Sequence, residues 1–206
     1  MKDKLTLVVL GRSGSGKGTQ ARFLLDRLRR EGVHHIETGR FIREMIRGRS
    51  STALITRRRY DRGELMPAWI PVYLWTNELV EKELVEDHLV FDGAPRRQIE
   101  AKLLDEFMAW HGRSLPICIF IDVNRREAAG RLLARGRRDD TSAVIKNRLD
   151  YFSREVMPVI RYFAKHRRMI RVDGSPASEI VAGEIDAGLK KKLGKAWPSA
   201  SKAGRR

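Results

Sequence analysis

The chain holds a single cysteine, Cys118, among its 206 residues. That excludes an internal disulfide and any cysteine-built zinc cluster. Cys118 sits in the apolar run 116–121, where a buried, inert thiol is expected. No apolar run approaches the ~20 residues that a helical membrane span needs, so no membrane partner is expected. Nor do the first residues read as a charged region ahead of an apolar leader; they read as a strand, and the expected location is the cytoplasm. Aromatic residues are sparse at 7%, and the five histidines, at 34, 35, 88, 111 and 166, show no metal-ligand spacing. What remains is a hydrophobic share of 42% and a length suited to one domain with a substantial core.

Acidic residues are also short, 26 against 42 Lys and Arg, which leaves a formal charge of +16. Such a balance raises the possibility of a nucleic-acid partner. Its distribution argues otherwise. Residues 187–206 carry seven Lys or Arg and no acid, and the segment 190–206 reads as a basic, disordered tail. Any contact with nucleic acid is expected only through that tail.

Directly after the apolar run 5–10, the chain reads Gly11-Arg12-Ser13-Gly14-Ser15-Gly16-Lys17-Gly18-Thr19-Gln20. A buried strand, a glycine-rich turn and a helix start make a phosphate-binding loop. Glycines let successive N–H groups turn toward an anion, Lys17 brings a mobile charge, and the helix N-terminus adds a partial positive charge. Gly18 follows the lysine, so the hydroxyl suited to Mg²⁺ is displaced to Thr19.

Five short apolar runs, at 5–10, 33–36, 88–92, 116–122 and 169–173, read as buried strands. Between them, 18–30, 67–84, 97–111, 125–135 and 141–166 read as helices. The alternation implies an α/β fold with a parallel sheet. Residues 38–84 form a helical insertion over one rim. Gly11, Thr38-Gly39, Asp92-Gly93 and Asp122 follow successive strands, and ligands bind outside those ends in open α/β sheets.

These segments together resemble the adenylate kinases and the wider nucleoside monophosphate kinase family, over about residues 4–187. The loop 11–20 is similar to G-x-P-G-x-G-K-G-T-Q, with Ser13 in place of proline. Residues 35–43 resemble H-I-S-T-G-D-x-x-R, and Asp92-Gly93-Ala94-Pro95-Arg96 resembles D-G-F-P-R. Residues 131–135, 137–140 and 148–151 resemble the family's arginine-bearing closing segments, and Val172-Asp173-Gly174 resembles the V-D-G turn beside the donor base.

The resemblance implies a P-loop NTPase fold with a five-stranded parallel sheet flanked by helices, a helical monophosphate-binding insertion at 38–84 and a short lid at 136–140, within a kinase domain spanning 1–189. It implies reversible, Mg²⁺-dependent transfer of the γ-phosphoryl group of ATP to a nucleoside monophosphate, by a monomer. The donor site would comprise Gly11, Ser13, Gly14, Ser15, Gly16, Lys17, Gly18, Thr19, Arg131 and Gly174. The acceptor site would comprise Thr38, Gly39, Arg43, Leu65, Met66, Gly93, Arg96 and Glu100. Catalysis would rest on Lys17, Arg96, Arg135, Arg137 and Arg148. Thr19, and Asp92 through bound water, would serve Mg²⁺. Such chemistry needs two phosphate groups held in line with their charge neutralised, and planar guanidiniums suit that task. Asp139 and Asp140 would cap the helix from 141 or pair with arginines at a hinge.

The acceptor half departs from the pattern. Glu37 stands for Ser, Arg40 for Asp, Ala94 for Phe, and Tyr60 replaces a usual methionine. Glu100 stands at a glutamine position. Ionised glutamate only accepts hydrogen bonds, whereas glutamine also donates. AMP is the expected acceptor, with GMP or another base open, and Arg40 or Arg97 are candidate partners that would draw Glu100 out of the pocket. Two alternatives stand beside this reading: a P-loop kinase of another small acceptor, and a non-catalytic nucleotide- or RNA-binding protein that retains the fold.

Overall fold

All five apolar runs form strands: β1 (Thr6–Gly11), β2 (Val33–Glu37), β3 (His88–Asp92), β4 (Ile117–Asp122) and β5 (Met169–Asp173). A computed structural model of the protein describes residues 4–136 and 141–198. The strands build one parallel sheet in the order β2-β3-β1-β4-β5. β1 lies at the centre, with Thr6 opposite Leu89 of β3 and Leu7 opposite Ile117 of β4. Strands covered on both faces have no polar side to show, which is why they read as continuous apolar runs.

Side-chain alternation divides the core in two. Leu7, Val9, Val90, Ile119 and Ile121 face a layer that includes α1 (Lys17–Leu28), α6 (Arg125–Arg135) and α9 (Ser178–Leu193). Val8, Leu10, Leu89, Phe91 and Phe120 face the opposite layer. That layer is built from α4 (Trp69–Glu81), α5 (Gln98–Trp110) and α8 (Met157–Lys165), with Trp75 stacked edge-on against Phe91 and Phe107. Cys118 is fully buried here, and desolvation pushes its thiol far above the usual range, so it is inert.

The insertion contains α2 (Thr38–Met45) and α3 (Ser51–Asp61) before α4. It has its own small core of Ile42, Met66 and Ile70. Ser50 caps α3 by accepting from Ala53 N at 3.1 Å.

The single helix expected over 141–166 is instead three segments. α7 (Ser142–Tyr151) passes into a π turn (Phe152–Val156) and then α8. Pro158 has no N–H to give the carbonyl four residues back, and its ring crowds that carbonyl, so the ladder loosens by one residue there. Thr141 caps α7 by accepting from Val144 N at 3.3 Å; the alternative caps, Asp139 and Asp140, lie outside the described residues.

The expectation of a disordered tail from residue 190 fails for 190–198. α9 runs to Leu193, a 3₁₀ turn (Gly194–Ala196) follows, and Trp197 is 5% exposed. Its indole Nε1 donates to Asp186 Oδ1 at 2.8 Å, and Arg27 both pairs with Asp186 at 3.0 Å and lies over the indole. One large aromatic gives that otherwise polar stretch enough apolar surface to dock. Among the described residues, no helix is long and apolar enough to cross a membrane.

Candidate active site

β1 delivers the glycine-rich loop to the carboxyl edge of the sheet, where α1 starts at Lys17 behind Gly16. Gly16 has φ +88°, a left-handed conformation that a side chain would oppose. The first N–H groups of a helix have no intrahelical acceptor, and Gly16, Lys17, Gly18 and Thr19 all line a cavity of about 620 Å³. A Cβ on Gly18 would sit 3.3 Å from Asp92 Oδ2, tighter than ordinary contact.

β2 ends at Glu37 and leads straight into α2, so Thr38, Gly39 and Arg43 enter the same cavity from the next strand edge. β3 contributes Asp92, Gly93 and Arg96, and the first turn of α5 contributes Glu100. The insertion adds Leu65 and Met66; α6 adds Arg131 and Arg135; α7 adds Arg148. Ser13 and Gly14 complete this wall. Gly11 lines a small adjoining cavity with Lys17, Arg96 and Arg148. Ser15 and Gly174 line another beside Gly16, Thr19 and Arg131. Thus segments far apart in sequence converge on one crevice. Arg137 and the rest of the lid segment, 137–140, lie outside the described residues; Gly136 ends α6 in a left-handed conformation.

Lys17 Nζ donates to Gly11 O at 3.0 Å and Arg12 O at 2.7 Å. Burial lowers its amine to about 8; Asp92 opposes that shift, while Arg96 and Arg135 reinforce it. Burial raises the Asp92 carboxyl, against the pull of Lys17. Arg96 Nε donates to Gly93 O at 2.6 Å and its Nη1 to Tyr151 Oη at 2.9 Å, which fixes the guanidinium. Arg43 NH2 donates to Glu37 Oε1 at 2.7 Å. Arg131 donates to Gly174 O at 2.9 Å, Ser175 O at 3.0 Å and Glu127 Oε1 at 2.6 Å, and so ties α6 to the turn after β5. Arg148 lies over the Tyr60 ring.

Glu100 is fully buried and faces the cavity. Its Oε2 accepts from Arg96 N at 2.7 Å. Neither Arg40 nor Arg97 removes it from the pocket: Arg40 pairs with Glu44 and Glu78, and Arg97 with Glu155 at 3.2 Å. Desolvation pushes its carboxyl up to about 7, despite the Arg96 amide and the charges of Arg96 and Arg97.

The lining residues outside the sequence-based site set include Arg22, His35, Glu64 and Tyr151. Arg22 follows Thr19 by three positions on α1, and that helical spacing was a usable signal. Tyr151 closes the R-L-D-Y segment. Burial lowers the His35 imidazole below its usual range, which keeps it neutral near pH 7. His35 lies on β2 at the head of the segment 35–43, and Glu64 stands beside Leu65 in the insertion.

For Mg²⁺, the donor set fits. Asp92 and Thr19 offer oxygen donors on the wall that carries Lys17, as a hard cation requires. Among the described residues there is no cluster of three or more acidic, His or Cys ligands, and Mg²⁺ needs none, because it keeps several waters and leans on phosphate oxygens.

A profile of the family described as "Adenylate kinase" matches residues 9–168. The chain is 31% identical over 183 residues to "Adenylate kinase 1" of Nostoc sp. (strain PCC 7120), covering 89% of this chain and 97% of that protein. It is 34% identical over 187 residues to "Adenylate kinase" of Mycobacterium sp. (strain MCS), covering 89% and 98%. With "Adenylate kinase" of Methanocella arvoryzae it shares 30% identity over 218 residues, covering 91% and 99%. The chain belongs to the adenylate kinase family.

Proposed function

We propose that the protein catalyses reversible, Mg²⁺-dependent transfer of the γ-phosphoryl group of ATP to a nucleoside monophosphate, with AMP the favoured acceptor. Family membership supports the donor, the cofactor and the reaction type. The observation that carries the reading is a single cavity lined both by Lys17 with the α1 N-terminus and by Arg43 and Arg96, cations suited to two phosphate groups.

Lys17 and the loop residues 11–19 would hold the donor phosphates, with Thr19 and water on Asp92 serving Mg²⁺. Bound there, the ion would neutralise charge on the phosphate oxygens. Arg43 and Arg96 would clamp the acceptor phosphate, and Thr38, Gly39, Leu65, Met66, Gly93 and Glu100 would surround the rest of the monophosphate. Arg135, Arg148 and Arg137 would neutralise charge that builds on the transferring group. Arg131, held against Gly174 and Ser175, would flank the donor base. Cations crowded into one low-dielectric cavity cost self-repulsion that bound phosphates offset. Closure over the bound pair would exclude water and direct the phosphoryl group to the acceptor. The same reading takes the enzyme as a cytoplasmic monomer.

ADP formation from ATP with AMP, GMP, CMP, UMP and dTMP in turn tests the reading. Turnover with AMP at the highest kcat/KM is the expected result. No ADP with any of the five, or a higher kcat/KM with another of them than with AMP, would overturn it.

A further inference from the structure

Many cations that the cavity does not use gather at the other edge of the sheet. α1 passes into a 3₁₀ turn (Arg29–Glu31) before β2, α8 ends at Lys165 before β5, and α9 runs back from the end of β5 to Leu193. In a parallel sheet all three ends therefore stand at the amino edge, opposite the cavity. Contacts bring them side by side. Lys192 Nζ donates to Arg167 O, which joins α9 to the turn after α8. Arg27 of α1 pairs with Asp186 of α9 and lies over Trp197. Lys190 follows Asp186 by four positions, so it stands on the α1 side of α9, and Lys192 on the α8 side.

The side chains on this edge carry charge of one sign. Arg29 and Arg30 after α1, Lys165 and Arg167 at the end of α8, and Lys190–Lys192 with Lys195 are all exposed. The stretches 29–31, 165–168 and 190–195 hold one acid, Glu31. Exposed Arg125 and Arg171 have carboxylate partners in Asp150 and Asp122; among the described residues, none of the exposed cations just named on the amino edge is in an ion pair. A helix C-terminus carries about half a unit of negative charge, which a single cation already exceeds. Nor are the lysines of 190–195 spread apart by repulsion as in a solvated tail, because buried Trp197 docks the segment through Asp186. Arg167 has φ +56°, where a glycine would be easier, and its side chain is exposed beside them.

Cations held close together repel one another, and a polyanion with regularly spaced charge offsets that repulsion while releasing its own counterions. We propose that the amino edge formed by the ends of α1, α8 and α9 binds the phosphodiester backbone of a nucleic acid, at a site separate from the phosphoryl-transfer cavity. Lysines meet phosphates as point charges, and the three stretches contain no Asn or Gln to pair with adenine edges, so binding is by backbone and independent of sequence. A membrane surface fits less well. The apolar face of α9, with Val181, Ile185 and Leu189, is buried in the core, so none is left to enter a bilayer beside the lysines. Contact is thus placed on folded helix ends, where composition alone pointed to a disordered tail.

Fluorescence anisotropy of a short labelled RNA of mixed sequence, titrated with the full chain from about 50 to 200 mM salt, tests this. Log Kd should rise with log salt at a slope of about 4, as roughly six neutralised phosphates of a single strand would give. Single-stranded DNA of the same sequence should bind within about threefold, since the backbone is what is held. The triple variant Lys190→Gln, Lys191→Gln, Lys195→Gln should lower the slope by about 2 and weaken binding about tenfold at the lower salt. Arg29→Gln with Arg30→Gln, on a different helix, should lower the slope by about 1. Both variants should keep the wild-type midpoint in urea, and Lys17→Ala, altered only in the cavity, should bind the RNA as the wild type does. No RNA binding at about 50 mM salt, unchanged binding by the triple variant, or loss of binding in Lys17→Ala would each overturn the proposal. So would capture of the protein by vesicles of phosphatidylcholine and phosphatidylserine without any binding to RNA.

Discussion

Arg43 is the clearest case of a side chain engaged before its substrate arrives. Its contact with Glu37 at 2.7 Å sets a carboxylate in competition with an incoming phosphate. Both side chains are a third or more exposed, so the pair contributes about 1 kcal/mol at most. Glu37→Ser should therefore lower KM for AMP up to about fivefold and leave kcat nearly unchanged, in steady-state assays at saturating ATP. Lys17 gives a pH prediction with a definite sign. Its amine is lowered to about 8, so the charge that would meet the donor phosphates is present below that value and lost above it. The profile of kcat/KM for ATP, which reports the free enzyme, should fall above about pH 8. Gly18 and Glu100 mark two kinds of legibility. A bare residue after Lys17 was plain from the motif, whereas the approach of Asp92 Oδ2 to it is visible only in the structure. The identity of Glu100 was plain, whereas its burial, and hence its raised carboxyl, depends on how the insertion packs over α5.

At the scale of elements, strands were the most legible part. Both faces of β1, β3 and β4 are covered, so apolar runs such as 88–92 had no competing amphipathic reading. Helix ends were less so, because local chemistry sets them: Pro158 divides the stretch after Thr141, and Thr141 itself supplies the cap. The segment after α9 misled for a different reason. Its lysines and small residues have the composition of a solvated tail, and one aromatic, Trp197, reverses the outcome by packing into the core layer of α1 and α9. Trp197→Ala should cost about 3 kcal/mol, the low end for a large aromatic, since a chain end gives up little else. Urea unfolding measures this, and kcat with ATP and AMP should be retained, because Arg27 and Asp186 hold the indole at the end of α1 away from the phosphate loop.

For the molecule as a whole, the order β2-β3-β1-β4-β5 gathers the functional residues. The loop after β1, the start of α2 after β2 and the Asp92–Arg96 stretch after β3 meet because those three strands are neighbours. Motif order alone made that convergence readable. What it did not convey was the balance in the cavity, where burial lowers the Lys17 amine and raises the Asp92 and Glu100 carboxyls, while Lys17 and Asp92 each hold the other toward its charged form. The central claim is that two nucleotides meet here for phosphoryl transfer. Its most direct measurement is the rate of ADP formation from ATP and AMP with Mg²⁺, for the wild type and for folded Lys17→Ala. Two ADP per turnover in the wild type, with kcat at least about 100-fold lower in the variant, is the predicted result; no ADP from the wild type, or equal rates in the two proteins, would contradict it.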